Sequence, residues 1–388
     1  MIKIGVLGSG SMGAGIAQVA ATAGHQVILS DNNPAALERA KSKLAQIMNR
    51  LVEKGRVSEQ EAQAIQERIK YESSIYAFSD CGLVIEAIIE DLNIKKDVFA
   101  QIEEITKSDC ILATNTSSLS VSAIASALKK PERFIGIHFF NPAPLMKLVE
   151  IIPALQTQAE TENTVTPLIQ SWGKNTVLAK DTPGFIVNRI ARPFYGEALR
   201  IYDEGIADFA TIDWAMKEIA GFRMGPFTLM DYIGNDINYK VTETVYASFF
   251  YDGRYMPSFT QKRLADSGYY GRKAGKGYYN YENESTMPEP NMDKALGRVI
   301  VDRVVVMLIN SASDALFWNV ASAKDIDKAM TLGVNYPKGL LAWADEIGIA
   351  QCVEQLDALF DEYREERYRC CPLLRRMARN GETFSTKL

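Results

Sequence analysis

The sequence predicts an α/β domain followed by two copies of an all-helical domain. Near the start, an apolar run rich in β-branched residues, Ile2 to Leu7, leads into a Gly-rich turn and then a helix-forming stretch, Ala14 to Ala23. That order is typical of a Rossmann-type domain. In the second half, a helical pattern recurs at a constant offset of 114 residues, which indicates a duplicated domain. We therefore expect a Rossmann-type domain with a helical hairpin insertion at residues 1–183, a helical domain at 184–283 and a degenerate second copy at 296–388.

Length and composition are those of a globular protein with more than one core. The chain has 388 residues, of which 47% are hydrophobic and 23% charged. A net charge of −5 argues against general binding to nucleic acid or to a membrane surface. No apolar run approaches the roughly 18 residues that span a bilayer, and Met1 leads directly into a strand without a signal peptide. We expect a cytoplasmic protein with no nucleic-acid or membrane partner.

Five cysteines occur without a Cys-x-x-Cys motif and without a histidine spaced as a co-ligand. This pattern predicts reduced thiols and no metal site.

The turn Gly8-Ser9-Gly10-Ser11-Met12-Gly13 is the first candidate ligand site. Gly8 allows a tight turn, Gly10 lets the backbone approach a pyrophosphate, and Gly13 lets helix and strand pack closely. The helix that follows offers free amide groups and a positive dipole end to phosphates. We expect residues 8–13 to bind a dinucleotide.

Asp31 ends the second predicted strand, Gln26 to Ser30. A carboxylate at this place accepts hydrogen bonds from both ribose hydroxyls and repels the extra phosphate of NADP, so it predicts NAD as the cofactor. The sequence leaves a second interpretation open, in which Asp31 is a turn or helix-capping residue before Pro34.

His138 is one of two histidines, and it precedes the lone carboxylate of Glu150 by twelve residues. An imidazole accepts and returns a proton near neutral pH, and a carboxylate between apolar neighbours needs a partner. The intervening pattern predicts a strand (Phe134 to Ile137), a turn and a second strand (Met146 to Ile152), which would bring the two side chains together. A buried histidine beside a strand-end glutamate would produce the same pattern without catalysis.

Four motifs, taken in order, resemble the L-3-hydroxyacyl-CoA dehydrogenase family, in particular 3-hydroxybutyryl-CoA dehydrogenases with a duplicated helical domain. They are Gly8–Gly13, Asn115-Thr116-Ser117-Ser118-Leu119, His138-Phe139-Phe140-Asn141-Pro142 with Glu150, and Asp181–Arg189. The stretches Met224–Gly234 and Gly271–Gly277 extend the resemblance into the helical domain.

The resemblance implies roles for individual residues. It implies that His138 is the catalytic base, that Glu150 orients it, and that Ser117 and Asn188 surround the substrate oxygen. By the same matching, the following residues fall where the family contacts NAD: Glu90, Lys95, Asn115, Ser117, Asn141 and Lys273. Lys54, in the predicted hairpin turn at Lys54-Gly55-Arg56, falls with Ser117 on the coenzyme A side. Two alternatives stay open: Ser117 as a helix cap before Val121, and Asn188 as a helix-surface residue.

The two helical copies differ at the implied site. Asn188 corresponds to Asp302, and nothing in the second copy matches Gly271 to Gly277. A carboxylate cannot donate a hydrogen bond to a developing alkoxide, so we assign the second copy to structure. We expect the copies to pack as an internal pseudo-dimer joined by a linker at Tyr281 to Asp293; the sequence leaves open whether the chain also forms a homo-oligomer.

The expected reaction is NAD-dependent oxidation of a short L-3-hydroxyacyl-CoA, such as 3-hydroxybutyryl-CoA, and its reverse, as in fatty acid β-oxidation. The acyl-CoA thioester depends on the resemblance. A free hydroxy acid on the same fold, and an NAD-binding structural protein without turnover, are the alternatives.

Overall fold

The computed structural model describes residues 2–283 and 287–386. The chain forms two compact units, Met1–Thr182 and Pro183–Leu388. Within the predicted linker, residues 284–286 lie outside the described residues. In the described part of the chain, no helix is both long and apolar enough to cross a membrane.

The first unit is built on one eight-stranded sheet of order β3-β2-β1-β4-β5-β6-β7-β8. All neighbouring strands are parallel except β6 and β7, which run antiparallel. The order reverses between β1 and β4, and ligands of open α/β sheets bind at the carboxyl ends of the strands beside such a reversal. The strands are β1 (Ile4–Leu7), β2 (Val27–Ser30), β3 (Ile69–Glu72), β4 (Leu83–Glu86), β5 (Ile111–Thr114), β6 (Phe134–Phe139), β7 (Leu148–Pro153) and β8 (Asn175–Leu178).

Six α-helices accompany this sheet in the described part of the first unit. Apolar side chains of the first helix and of the helical hairpin pack with β-branched residues of the strands to form the core of the unit. The helices are α1 (Ser11–Thr22), α2 (Pro34–Glu53), α3 (Glu59–Glu67), α4 (Leu92–Ile105), α5 (Val121–Ala125) and α6 (Ala159–Ser171).

The helical hairpin predicted after Asp31 is formed by α2 and α3. Asn33 caps α2 by accepting from the amides of Ala35 and Ala36, and the chain turns at Lys54 and at Gly55, whose φ is +64°. The helix-forming composition of the sequence continues from Pro34 to Lys70, but Ile69–Glu72 forms strand β3 beside β2. Pairing with a strand distant in sequence overrides the local helical pattern there.

The second unit is helical. Its first half contains α7 (Val187–Ile190), α8 (Arg192–Asp203), α9 (Phe209–Trp214) with a π-helical continuation (Ala215–Ile219), α10 (Pro226–Ile233), α11 (Asn235–Ser248) and α12 (Phe259–Asp266). Its second half contains α13 (Lys294–Phe317), α14 (Ala323–Gly333), α15 (Leu340–Ile347), α16 (Ile349–Tyr363) and α17 (Pro372–Asn380).

The two halves share a construction that follows the 114-residue offset. In the first, Asp213 accepts hydrogen bonds from the amides of Phe227 and Thr228 in the first turn of α10. In the second, Asp327 accepts from the amides of Leu341 and Ala342 in the first turn of α15. These carboxylates satisfy amides that a helix leaves unpaired at its start.

The residue before each of these helices is a glycine packed against the same aspartate. A Cβ at Gly225 would collide with Asp213, and a Cβ at Gly339 would collide with Asp327. We call this arrangement the Asp–Gly helix start.

Ion pairs connect the two halves of the second unit. Arg189 Nη2 lies 3.0 Å from Asp314 Oδ2. Arg303, which corresponds to Arg189, donates from Nε to Glu197 Oε2 at 3.1 Å and from Nη1 to Glu204 Oε2 at 2.7 Å. Both pairs join the α7–α8 segment to α13, so helices at equivalent places in the two halves pack on one another.

Candidate active site

The Gly-rich turn between β1 and α1 has the geometry of a phosphate cradle. Gly8 has a φ of +99°, and side chains at Gly8 or Gly13 would collide with backbone oxygens. A Cβ at Gly10 would meet nothing within 4 Å, so the backbone is open on that side. Gly10 precedes α1 without a side-chain cap, which leaves the amides of Ser11 and Met12 available to an anion. These residues fit the pyrophosphate of NAD.

Asp31 lies beside this turn. Its Oδ2 accepts from both the amide and the hydroxyl of Ser9, each at 2.8 Å. Burial opposes ionisation, but these bonds and one from the amide of Asn33 outweigh it, so the pKa of Asp31 is lowered. Asn33, not Asp31, caps α2. Asp31 is therefore an ionised carboxylate at the end of β2, as recognition of a ribose requires.

Glu90 organises the loop that follows β5. Its Oε1 accepts from the Thr116 hydroxyl at 2.5 Å, the Ser117 amide at 3.1 Å and the Ser118 hydroxyl at 3.0 Å. Burial raises the pKa of Glu90, but Lys95 and these hydroxyls lower it overall. Ser117 is thus held through its backbone, and the helix α5 is capped by Ser120. The capping alternative for Ser117 is wrong.

Lys95 lies beneath Glu90. Its side chain is 1% exposed, and Nζ lies 2.5 Å from Glu86 Oε1 and 3.2 Å from Glu90 Oε2. Glu86 also accepts from the Thr114 hydroxyl at 2.8 Å. A ligand at the sheet edge would meet Glu90 before Lys95, so the geometry gives Lys95 the function of fixing Glu90. A carboxylate that ends the apolar strand β4, nine residues before a lysine, is the sequence signal for this pair.

His138 and Glu150 face each other across β6 and β7. They are register partners of the antiparallel pair, and His138 Nδ1 lies 2.6 Å from Glu150 Oε2. Both side chains are buried. The carboxylate can fix the ring orientation and stabilise an imidazolium.

The connection from β6 to β7, residues 140–147, is fixed at several points. Asn115 Oδ1 accepts from the Phe139 amide at 2.9 Å where β6 ends, and Ser11 donates to Asn141 Oδ1 at 3.4 Å. Lys174 Nζ donates to the carbonyls of Ala143 at 2.6 Å and Met146 at 2.8 Å. No pattern in the sequence points to Lys174, which follows an ordinary helix–strand turn. These bonds connect the His138 strand to the Gly-rich turn.

Three further implied residues belong to the hairpin turn and to the second unit. Lys54 is exposed at the hairpin turn. In the second unit, Asn188 is half-buried on α7, and Lys273 Nζ donates to Asp236 Oδ2 at 2.7 Å. Within the first unit, the structure brings together residues 8–13 with Asp31, Glu90 with Lys95 and Ser117, and His138 with Glu150.

Comparisons with known proteins agree with this arrangement. Residues 3–182 match the NAD-binding domain of 3-hydroxyacyl-CoA dehydrogenase, and residues 184–281 and 299–387 each match its C-terminal domain. The chain is 38% identical to 3-hydroxyadipyl-CoA dehydrogenase of Escherichia coli, with 97% of both covered. It is 41% identical to a probable 3-hydroxybutyryl-CoA dehydrogenase of Deinococcus radiodurans, over 72% of this chain and 100% of that one.

A solved structure also covers nearly the whole chain. The crystal structure of 3-hydroxybutyryl-CoA dehydrogenase from Escherichia coli superposes with a TM-score of 0.91 at 36% identity, and 98% of this chain and 99% of that one are covered. The chain thus belongs to the 3-hydroxyacyl-CoA dehydrogenase family of NAD-dependent oxidoreductases, with a Rossmann-type domain followed by helical C-terminal domains.

Proposed function

We propose that the protein oxidises a short L-3-hydroxyacyl-CoA to the 3-oxoacyl-CoA, and catalyses the reverse reduction, with His138 as the base and Glu150 as its orienter. The observation that carries this proposal is the 2.6 Å contact between His138 Nδ1 and Glu150 Oε2, which lies in the same unit as the Gly-rich turn. NAD, when bound, accepts the hydride from the hydroxyl-bearing carbon. His138 Nε2 takes the hydroxyl proton and returns it in reduction.

Two further side chains complete the proposed site. The Ser117 hydroxyl and the Asn188 amide donate hydrogen bonds to the substrate oxygen, where negative charge develops. Glu90 supports this role of Ser117, because it anchors the Ser117 amide and leaves the hydroxyl of that residue available. We assign Asn115, Asn141 and Lys273 to NAD and Lys54 to the coenzyme A moiety, as the family resemblance implies.

We propose that the two helical copies form an internal pseudo-dimer in which the second copy supports the first. The support is the pair of contacts made by equivalent arginines: Arg189 with Asp314, and Arg303 with Glu197 and Glu204. A two-fold relation predicts that equivalent arginines each contact the other copy, as Arg189 and Arg303 do, although their acceptors do not occupy equivalent positions.

The test uses the two histidines as a matched pair. The rate of NADH consumption with acetoacetyl-CoA is measured for wild type, His138→Gln and His25→Gln. We expect a loss of about 100- to 10,000-fold in kcat for His138→Gln, the usual contribution of general acid–base catalysis.

His25 is also buried, beside Trp172, with Nδ1 3.0 Å from the carbonyl oxygen of Ile2. His25→Gln controls for the loss of a buried imidazole and should keep kcat. Equal rates for wild type and His138→Gln would show that His138 is not the base. If free 3-hydroxybutyrate were oxidised as fast as its thioester, the substrate would not need coenzyme A.

A further inference from the structure

Arg192 is a buried arginine without a counter-charge among the described residues. Its side chain, at the start of α8, is 7% exposed. Nη1 donates to the Thr242 hydroxyl at 3.1 Å, and the guanidinium lies over the ring of Tyr195, 5.0 Å from its centroid. Within the described residues, no carboxylate pairs with Arg192, and its buried Nε makes no hydrogen bond.

Other buried arginines of the second unit are neutralised. Arg189 pairs with Asp314, and Arg303 and Arg367 both pair with Glu197. An unpaired buried charge is strongly unfavourable, and a cation–π contact offsets only part of that cost. Burial accordingly lowers the pKa of Arg192. The guanidinium therefore has unused hydrogen-bond donors and no anion that neutralises its charge among the described residues.

Polar groups around Arg192 also have unused hydrogen-bonding capacity. The buried hydroxyl of Tyr336, which interacts electrostatically with Arg192, also makes no hydrogen bond in the described part of the chain. On α11, Asn238 is buried and its Oδ1 accepts from Gln261 Nε2 at 2.9 Å. A helical core thus contains a polar cluster whose hydrogen-bonding capacity is only partly used.

The second copy shows that the fold does not require this cluster. At the 114-residue offset, Arg192 corresponds to Val306, Thr242 to Leu356 and Asn238 to Cys352. All three replacements are buried. Arg189, in contrast, is retained as Arg303. The polar cluster therefore occurs in the copy that carries Asn188, and the same helices pack without it in the other.

We propose that Arg192 binds the distal carboxylate of an acyl thioester whose chain ends in a carboxylic acid. This inference rests on the proposed function, in which Asn188 contacts the substrate oxygen. Arg192 begins α8 four residues after Asn188 of α7, and the connecting residue, Ala191, has helical backbone angles (φ −75°, ψ −9°), so the two side chains start about one helical turn, ~5.4 Å, apart. In a six-carbon dicarboxylic chain, two methylenes separate the hydroxyl-bearing carbon from the carboxylate, which is a comparable length. A guanidinium offers the paired donors that suit a carboxylate.

The test compares two thioesters of equal length, 3-oxoadipyl-CoA and 3-oxohexanoyl-CoA, which differ in a terminal carboxylate or methyl group. Acetoacetyl-CoA serves as the short reference. We expect wild type to prefer 3-oxoadipyl-CoA by about 100-fold in kcat/KM, the effect typical of a buried charge pair. Arg192→Met should abolish this preference and keep the rate with acetoacetyl-CoA, and Arg192→Lys should keep part of the preference.

A purely structural Arg192 predicts a different result. In that case, Arg192→Met would lower the rates with all three thioesters in parallel, together with the melting temperature. A wild type without preference for the terminal carboxylate would overturn the inference whatever the variants do, and activity with acetoacetyl-CoA would leave the proposed function intact.

If no thioester were turned over, the proposed function would fail. Calorimetric titration of the wild type with adipyl-CoA and hexanoyl-CoA would then decide on Arg192, because equal affinities would exclude a carboxylate site.

Discussion

The register of two strands holds Nδ1 of His138 against Oε2 of Glu150. Because the two residues are direct cross-strand partners, their separation depends on backbone pairing and needs no flexible loop. The proposed base is therefore oriented before any ligand binds. Such preorganisation removes part of the entropic barrier from the chemical step.

Glu150→Gln removes the negative charge beside His138 and keeps a side chain of nearly the same shape. The amide oxygen can still accept from the imidazole, but it no longer stabilises a protonated ring. We expect kcat to fall by about 100-fold, at the lower end of general acid–base effects, with little change in the KM for NAD. An unchanged kcat in steady-state assays would show that Glu150 is only a packing partner.

Asn188 and Asp302 form a matched pair, since they occupy equivalent positions in the two copies. Asn188→Ala should remove a hydrogen bond to the substrate oxygen and lower kcat by about 100-fold. Asp302→Ala should leave kcat within about threefold, because Asp302 is exposed and belongs to the copy for which we propose no catalytic residue. Similar losses in both variants would mean that the effect is one of helix packing.

Asp31→Ser should weaken the preference for NAD over NADP. Loss of hydrogen bonds to a carboxylate costs about 1.5–3 kcal/mol, so kcat/KM for NAD should drop about 10- to 100-fold while that for NADP rises. Asn33→Ala is the control, because it removes only the cap of α2. If Asn33→Ala changed the cofactor preference as much as Asp31→Ser does, a specific contact between the carboxylate and the ribose would be contradicted.

Arg303→Leu should destabilise the second unit. The substitution leaves Glu197 buried with one fewer cation and removes both bonds to Glu204, a loss of about 3–5 kcal/mol in unfolding free energy. Arg375→Leu breaks an exposed pair with Asp357 and should cost less than about 1 kcal/mol. Denaturant titration separates the two, and equal costs would contradict a stabilising role for the contacts between copies.

Lys174 gives stability a pH dependence. Burial lowers its pKa from the usual 10.5 to about 8. Between these values the unfolded chain carries a proton that the folded chain has lost, so the unfolding free energy rises with pH. The cost of burying the charged amine is complete below pH 8 and is absent above pH 10.5. Relative to Lys174→Met, the unfolding free energy of wild type should rise with pH across this window. A difference independent of pH in urea titrations would show that Lys174 titrates normally.

Local patterns in the sequence predicted the strands beside the Gly-rich turn well. The apolar runs that became β1 and β2, and the turn at Gly55, need only short-range information. The prediction of a strand at Met146 to Ile152 was less accurate, because the observed strand, β7, spans Leu148–Pro153. Lys174 holds the Met146 carbonyl in the preceding connection, and this lysine is distant in sequence.

Contacts made by tertiary packing could not be predicted in the same way. Asp213 lies fourteen residues before the amide of Phe227, and neither residue has a periodic pattern that reveals the bond. Arg192 is similar, since an arginine at the start of a helix usually reaches solvent. Only the folded packing shows that this guanidinium is enclosed.

The Asp–Gly helix start has a consequence for how the chain can be interpreted. It occurs in both copies, whereas Asn188 and Arg192 occur in one, so the protein contains its own reference for what the helical domain needs merely to fold. Positions that agree between the copies are candidates for architectural constraint, and chemical differences between buried positions are candidates for ligand recognition. One polypeptide thus separates the demands of folding from those of chemistry.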